Sequence, residues 1–190
     1  MTMPEALAAV TVLAIGAGVT LPQLGSTLRA RKLDGAARSL SMQMQRARME
    51  AIAQGRAVGI LFERTPGGGR WRMHADGGLT GILSTEIAAG IDAPIGDPRS
   101  LSADSPGVAL GLPHSGPIPR IPPSTGVLLP GDDPIAFGGS DIFSASPTGS
   151  TSGGTLYLTD GRSLRAVVAY GPTGRIRVWR YDAETGRWRQ

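Results

Sequence analysis

Residues 1–24 read MTMPEALAAVTVLAIGAGVTLPQL, and no charged side chain lies between Ala6 and Leu28. A helix over that interval would be about 34 Å long at roughly 1.5 Å per residue, enough to cross the ~30 Å hydrocarbon core of a bilayer. The stretch therefore predicts a membrane-spanning helix within residues 1–28. A cleaved signal peptide is disfavoured, because nothing basic precedes the apolar run and no convincing cleavage site follows it.

Two residues do not suit a simple membrane span, Glu5 and Pro22. A carboxylate at the head of a membrane helix is costly unless it meets an opposite charge. In a parallel stack of such helices, Glu5 of one subunit can meet the α-amino group of a neighbour, which would set the register of the assembly. Pro22 removes a backbone N–H and is expected to bend or locally melt the helix. Two plainer alternatives are that Glu5 is the terminal charge of a simple anchor and that Pro22 ends the span.

With Met1, Thr2, Glu5 and Pro22 at this spacing, the N-terminus resembles that of type IV pilins and type II secretion pseudopilins. Pro4 departs from the aliphatic residue usual in those families. The resemblance implies that prepilin peptidase produces a mature chain beginning at Met1 and that Met1 is N-methylated. It also implies a single-pass inner-membrane protein with a periplasmic globular domain. The basic residues just after the span would, by themselves, place that domain in the cytoplasm.

Residues 29–56 continue the helix in an amphipathic form. Apolar or small residues recur on one face at helical spacing, at Leu33, Ala36, Ala37, Leu40, Met44, Ala47 and Ala51. Gly55 is a suitable C-terminal cap, so one helix is predicted over about residues 3–54. The apolar face of this second half must lie on another layer of the fold.

Residues 57–190 are predicted to form a β-rich globular domain. Strands are expected at 57–64, 70–75, 153–161, 164–171 and 174–182, with a last hairpin leading into residues 187–189. Residues 94–154 hold 11 of the 15 prolines and predict elaborated loops, with short strands near 127–129 and 141–145. The fold class is therefore α+β, a long N-terminal helix packed on antiparallel β-sheet.

Both ends of the globular region resemble the GspH/FimT branch of the pseudopilins. The helix end QRARMEAIAQGRAV runs into the first strand, and IFSASPTGSTSGG precedes TLYLTDG and a Gly-Arg-x-Arg strand at residues 174–177. The resemblance implies a pilin-like fold. It also implies two kinds of partner, the other pseudopilins or pilins of a helical filament and an inner-membrane assembly platform.

Charge is distributed along the chain in blocks. Residues 29–56 and 162–190 each carry a net charge of +5, whereas residues 57–161 carry −5. The C-terminal block has basic residues interleaved with three aromatic rings, and those basic residues are Arg175, Arg177, Arg180, Arg187 and Arg189. Arginine binds phosphate and aromatic rings stack on bases, so this block is a candidate DNA-binding surface. The alternative is a solvated strand face whose aromatic rings pack on the neighbouring hairpin.

Catalysis is disfavoured by the residues that the sequence offers. The chain has two histidines and no cysteine, and it contains no nucleophile elbow, phosphate-binding loop, HExxH or dinucleotide-binding motif. The adjacent Asp132 and Asp133 predict a solvated turn, because a calcium site would need more oxygen ligands than their neighbourhood supplies. We therefore predict no enzyme activity, no cofactor and no metal site.

Two functions are compatible with these resemblances. The first is a minor pseudopilin of a type II secretion system, a structural subunit of the periplasmic pseudopilus that drives protein export. The alternative is a FimT-like minor pilin of a type IV pilus that binds DNA for uptake through its basic C-terminal strands. The Pro- and Gly-rich middle of the chain favours neither.

Overall fold

A computed structural model of the chain shows a single long helix, α1 (Met3–Gln54), followed by a β-rich region. The structure describes residues 3–113 and 116–190, and of residues 4–24 and residue 26 it describes the helical backbone alone. The helix ends at Gln54, and the next residue, Gly55, has a φ of +66°, the left-handed conformation expected of a C-terminal cap. The predicted extent of the helix, residues 3–54, is confirmed.

The remaining elements follow in chain order. They are β1 (Val58–Glu63), β2 (Arg70–Ala75), α2 (Ser84–Ala88), β3 (Ala93–Ser100), α3 (Leu101–Asp104), β4 (Ala109–Leu110), β5 (Ile118–Pro119), β6 (Val127–Leu128), β7 (Ile135–Ala136), β8 (Ile142–Ala145), β9 (Gly154–Thr159), β10 (Leu164–Tyr170), a 3₁₀ turn (Gly171–Thr173), β11 (Arg175–Asp182) and β12 (Arg187–Arg189).

These strands form two main antiparallel sheets and one small hairpin. The first sheet has the order β3-β2-β1-β8. The second has the order β12-β11-β10-β9-β4, and β7 also pairs with β9. The hairpin β5-β6 stands apart from both sheets. The described fold is thus α+β with antiparallel sheets, as predicted, and agrees with a pilin-like architecture.

The main core lies where α1 meets both sheets. The helical face from Leu33 to Ala51 packs on inward side chains of β1, β8, β9, β10 and β11. Phe137 directly follows β7, which belongs to the second sheet. Its ring lies 6.0 Å from that of Phe62 and 5.9 Å from that of Phe143, both in the first sheet, so Phe137 joins the two sheets. One helix therefore organises both sheets, and its buried face is the centre of the domain.

The second sheet is buried on its other face as well. Tyr157, Leu164, Ala166 and Val168 pack there against side chains of the segment 112–128. This explains why β10 has an almost continuous apolar sequence, LRAVVAY, because a strand covered on both faces does not alternate. The Pro-rich middle of the chain therefore covers the face of the second sheet that is turned away from α1.

The middle of the chain also contains a strand that the sequence analysis did not predict. β3 occupies residues 93–100, and its side chains are mostly exposed. The strand contains Pro94 and Pro98, which are unusual in strands, so its sequence does not predict one. The pairing of β2 with β3 is also irregular, with a register shift between Trp71 and Met73. An edge strand tolerates proline because half of its N–H groups need no partner in the sheet. Between β2 and β3, the segment 81–91 contains the short helix α2.

Candidate functional site

The amphipathic half of α1 is held on the sheets by small side chains. Ala36, Ala37, Ala47 and Ala51 are buried, so the helix axis lies close to the strands beneath it. Leu33, Leu40 and Met44 fill the space between these alanines. All seven residues are those that the helical periodicity predicted. Among the described helix residues, burial begins at Leu33, so the attachment to the domain starts there.

An ion pair between a buried arginine and a partly exposed aspartate connects α1 with the second sheet. The side chain of Arg165 on β10 is 3% exposed and pairs with Asp34, whose side chain is 41% exposed. Arg165 also donates to the carbonyl of Leu164 at 3.0 Å. Because the guanidinium is buried and Asp34 lies on α1, this pair favours one lateral position of the helix on the sheet.

A second polar contact ties α1 to two loops. Arg48 donates from Nε to the carbonyl of Gly149 at 2.6 Å. Gly174, with a φ of +59°, packs against the same guanidinium. The glycine of the Gly-Arg-x-Arg motif thus has a structural role, because a side chain there would collide with the carbonyl oxygen of Gly149 and with the guanidinium of Arg48.

The back of α1 carries apolar side chains that the fold leaves exposed. Leu28, Met42, Met49 and Ile52 are exposed, and the first three follow one another at multiples of seven residues. This spacing places Leu28 and Met42 on the side of the helix opposite the buried alanines, whereas Met49 lies at the margin of that side and lines a groove with the start of β11. Exposed basic residues flank this stripe.

The structure divides the five C-terminal arginines between two faces of the second sheet. Arg175 and Arg177 lie opposite Tyr170 and Val168 of β10, on the face turned away from α1. Arg180 lies opposite Arg165, on the face turned toward α1.

The other two arginines, Arg187 and Arg189, lie on strand β12. Arg187 lies opposite Asp182 and Arg189 opposite Arg180, so both belong to the face turned toward α1. Arg189 forms an ion pair with Asp182 at 3.0 Å. The five arginines therefore do not form a single surface, and Arg175 and Arg177 stand together on their own.

The aromatic residues of the C-terminal block are packed on the sheet. Trp179 donates from Nε1 to the Tyr170 hydroxyl at 3.2 Å, and Trp188 donates to the carbonyl of Pro119 at 2.7 Å. The rings of Tyr181 and Trp188 lie 5.3 Å apart. These contacts match the interpretation of the aromatic residues as packed side chains, and all three are partly buried against the second sheet.

Three carboxylates that the sequence analysis did not single out lie together. Oxygens of Asp76, Glu86 and Asp92 lie within 4.8 Å of one another. Each carboxylate accepts hydrogen bonds from the surrounding loop, whose donors are the N–H groups of Gly77, Gly78, Leu79, Gly81 and Leu83 and the hydroxyl of Thr80. These hydrogen bonds hold the segment 76–92 in one loop conformation. An aspartate followed by two glycines after a strand is the signal that predicts such a turn.

The side chains predicted to act in membrane assembly, those of Met1, Glu5 and Pro22, lie outside the described residues. The helical backbone of α1 continues through position 22. Among the residues whose side chains are described, no helical segment combines the length and apolar character that a bilayer-spanning helix needs.

Comparison with known proteins gives one family. The family model described as "Type II transport protein GspH" matches residues 36–174, well over half of the chain. Searches of curated proteins and of solved structures gave no match. The matched range begins on the buried helical face and ends at the glycine before Arg175. It therefore covers the domain core, whereas every predicted site residue lies outside it.

Proposed function

Because the chain belongs to the GspH family of type II transport proteins, we propose that it is a minor pseudopilin, a structural subunit of the periplasmic pseudopilus of a type II secretion system. The observation that carries the proposal is the family match over the helix–sheet core. In the described part of the chain, α1 is attached to the domain only from Leu33 onward. This geometry suits a subunit whose helix serves both a globular domain and an assembly.

In the proposed arrangement, residues 1–28 anchor the protein in the inner membrane with its globular domain in the periplasm. Prepilin peptidase processes the precursor to begin at Met1, which becomes N-methylated. Glu5 meets the α-amino group of a neighbouring pseudopilin or the assembly platform, and Pro22 bends the helix. No catalytic step is part of the proposal, since the family is a structural one.

Complementation of a deletion strain tests this function. We expect deletion of the gene to reduce export of type II substrates, the wild-type gene to restore it, and Glu5→Ala to fail although the protein accumulates. Glu184→Ala, in the exposed turn before β12, is the matched control and should restore export. Normal export in the deletion strain would contradict the proposal.

The N-terminus provides a second test. Mass spectrometry of protein extracted from membranes should find Met1 carrying a methyl group, an increment of about 14 Da. An unmodified Met1 would argue against processing by prepilin peptidase.

The alternative function is that of a FimT-like minor pilin that takes up DNA. The observation that favours it is the exposed pair Arg175 and Arg177, whose guanidiniums have no carboxylate partner within the described residues. The packing of Trp179, Tyr181 and Trp188 weighs against it, because these rings make contacts within the fold that stacking on bases would have to replace.

Titration of the protein with duplex DNA at several salt concentrations separates the two functions. DNA uptake predicts micromolar binding that weakens steeply with salt, because phosphate contacts release counterions. Arg175→Ala/Arg177→Ala should then abolish the binding. A deletion strain that exports normally but fails to take up DNA would favour the alternative.

A further inference from the structure

Strand β11 has an open edge over more than half of its length. It pairs with β10 from Arg175 to Arg180, but β12 pairs with it only from Arg180 to Asp182. Within the described part of the chain, residues 175–179 thus have a strand on one side and none on the other. Along such an edge, alternate residues direct their N–H and C=O groups toward the vacant side, where another strand can pair with them.

This edge lacks the protection found on another edge of the fold. The exposed edge strand β3 contains Pro94 and Pro98 and pairs irregularly with β2, which makes it a poor template for a further strand. By contrast, residues 175–179 contain no proline and pair with β10 in continuous register. Their sequence, RIRVW, includes three residues of high β propensity.

A groove lies on each side of the open edge. On the side of α1, a cavity of about 290 Å³ is lined by Gln45, Arg48, Met49 and the start of β11. On the opposite side, a cavity of about 490 Å³ is lined by Tyr170, Pro172, Thr173, Arg175, Arg177 and Gln190. Successive side chains of a strand point to opposite faces, so an added strand would place its side chains in both grooves.

The positive charge of this edge determines which kind of strand can pair with it. Arg175 and Arg177 are exposed, and in the described residues neither guanidinium forms an ion pair or a side-chain hydrogen bond. Two copies of this edge paired with each other would oppose arginine to arginine, which is unfavourable. A strand bearing glutamate or aspartate at alternate positions would instead meet both arginines with charge-assisted contacts.

We propose that the open edge of β11 between Arg175 and Trp179 binds an extended acidic segment of a partner protein by strand addition. The backbone of the segment pairs with β11, its acidic side chains contact Arg175 and Arg177, and its intervening apolar side chains lie toward Met49 and Ile176. The inference rests on the geometry of β11 and does not depend on the secretion role.

A synthetic peptide that alternates valine with glutamate, capped at both ends, tests the proposal. Fluorescence anisotropy with the full-length protein in detergent should show micromolar binding. N-methylation of alternate amides of the peptide should abolish binding, because it removes the donors that strand pairing needs. Arg175→Gln/Arg177→Gln should weaken binding about tenfold or more. Arg187→Gln, which changes an exposed arginine on the opposite face, should leave it unchanged.

Three results would overturn the proposal. Equal binding of the N-methylated peptide would show attraction by charge alone, without strand pairing. Equal binding to Arg175→Gln/Arg177→Gln would place the peptide elsewhere. Duplex DNA binding that depends on these two arginines, with no peptide binding, would make the edge a nucleic-acid surface.

Discussion

Arg48 and Gly174 illustrate how a single residue contact joins three parts of the fold. The guanidinium reaches from α1 to the carbonyl of Gly149, and Gly174 lies against it in a left-handed conformation. A Cβ at Gly174 would clash with the backbone carbonyl oxygen of Gly149 and would lie 2.6 Å from Arg48 Nε. The glycine of the Gly-Arg-x-Arg motif therefore serves packing, whereas Arg175 and Arg177, at the start of β11, are available for contacts outside the chain.

Gly174→Ala should therefore destabilise the protein more than its backbone conformation alone requires. We expect a loss of about 3 kcal/mol or more, because left-handed strain and a steric clash add together. Gly186→Ala is the matched control, since Gly186 has a φ of +63° and no atom near its missing Cβ, and it should cost about 1 kcal/mol. Thermal and urea unfolding measure both. Equal losses would show that the clash is relieved without cost.

The ion pair of Asp34 with the buried Arg165 is a second contact whose contribution to stability can be measured. Asp34→Asn should cost about 2 kcal/mol, because it leaves a buried guanidinium without a counter-charge. In an Arg165→Met background, the same change should cost less than about 0.5 kcal/mol. A double-mutant cycle in urea measures the coupling. Additive losses would mean that the pair does not hold the helix on the sheet.

At the scale of elements, the hairpin of β11 and β12 depends on Asp182. The pKa of Asp182 is lowered by a hydrogen bond from the Thr185 hydroxyl, by the N–H groups of Thr185 and Glu184, and by the charge of Arg189. A carboxyl whose pKa falls on folding contributes stability above its unfolded pKa, about 3.9, and loses that contribution as the pH falls through the folded value.

The hairpin should therefore open locally in acid. Amide protection of residues 187–189 should fall below about pH 4 in the wild type, while protection in β10 persists. Asp182→Asn should lower protection in β12 already at neutral pH and remove most of the acid effect. Hydrogen exchange with mass spectrometry measures both. A fall in wild type and variant alike would assign the acid effect to other groups.

At the scale of the whole molecule, α1 is attached to the globular domain through its second half, among the residues whose side chains are described. Its buried face begins at Leu33 among the described residues, so the globular domain should not need residues 1–28. The main core nevertheless includes Leu33, Leu40 and Met44, whose neighbours lie in both sheets. The two sheets therefore depend on the second half of α1.

Two truncations test this division. Removal of residues 1–28 should leave the unfolding temperature of the domain unchanged. Removal of residues 1–44 should abolish cooperative unfolding, because it deletes three of the large core side chains and exposes the apolar faces of both sheets. Calorimetry of the two fragments provides the comparison. Loss of folding in the shorter truncation would show that the first half of α1 also supports the domain.

The sequence by itself determined the elements whose patterns are local. The period of α1 defined its buried face from Leu33 to Ala51, Gly55 ended it, and the alternation of β2 and β11 marked them as strands. Patterns of this kind arise from backbone geometry within a few residues, so they need no knowledge of distant partners.

Only the tertiary structure decided how those elements are used. The five arginines form one block in the sequence, but pairing with β10 and β12 divides them between two faces. The edge of β11 is open because β12 pairs with only its last residues, and β3 is a strand because β2 lies beside it. Each of these features depends on which distant segment lies next to a residue, and that is set by packing across the whole molecule.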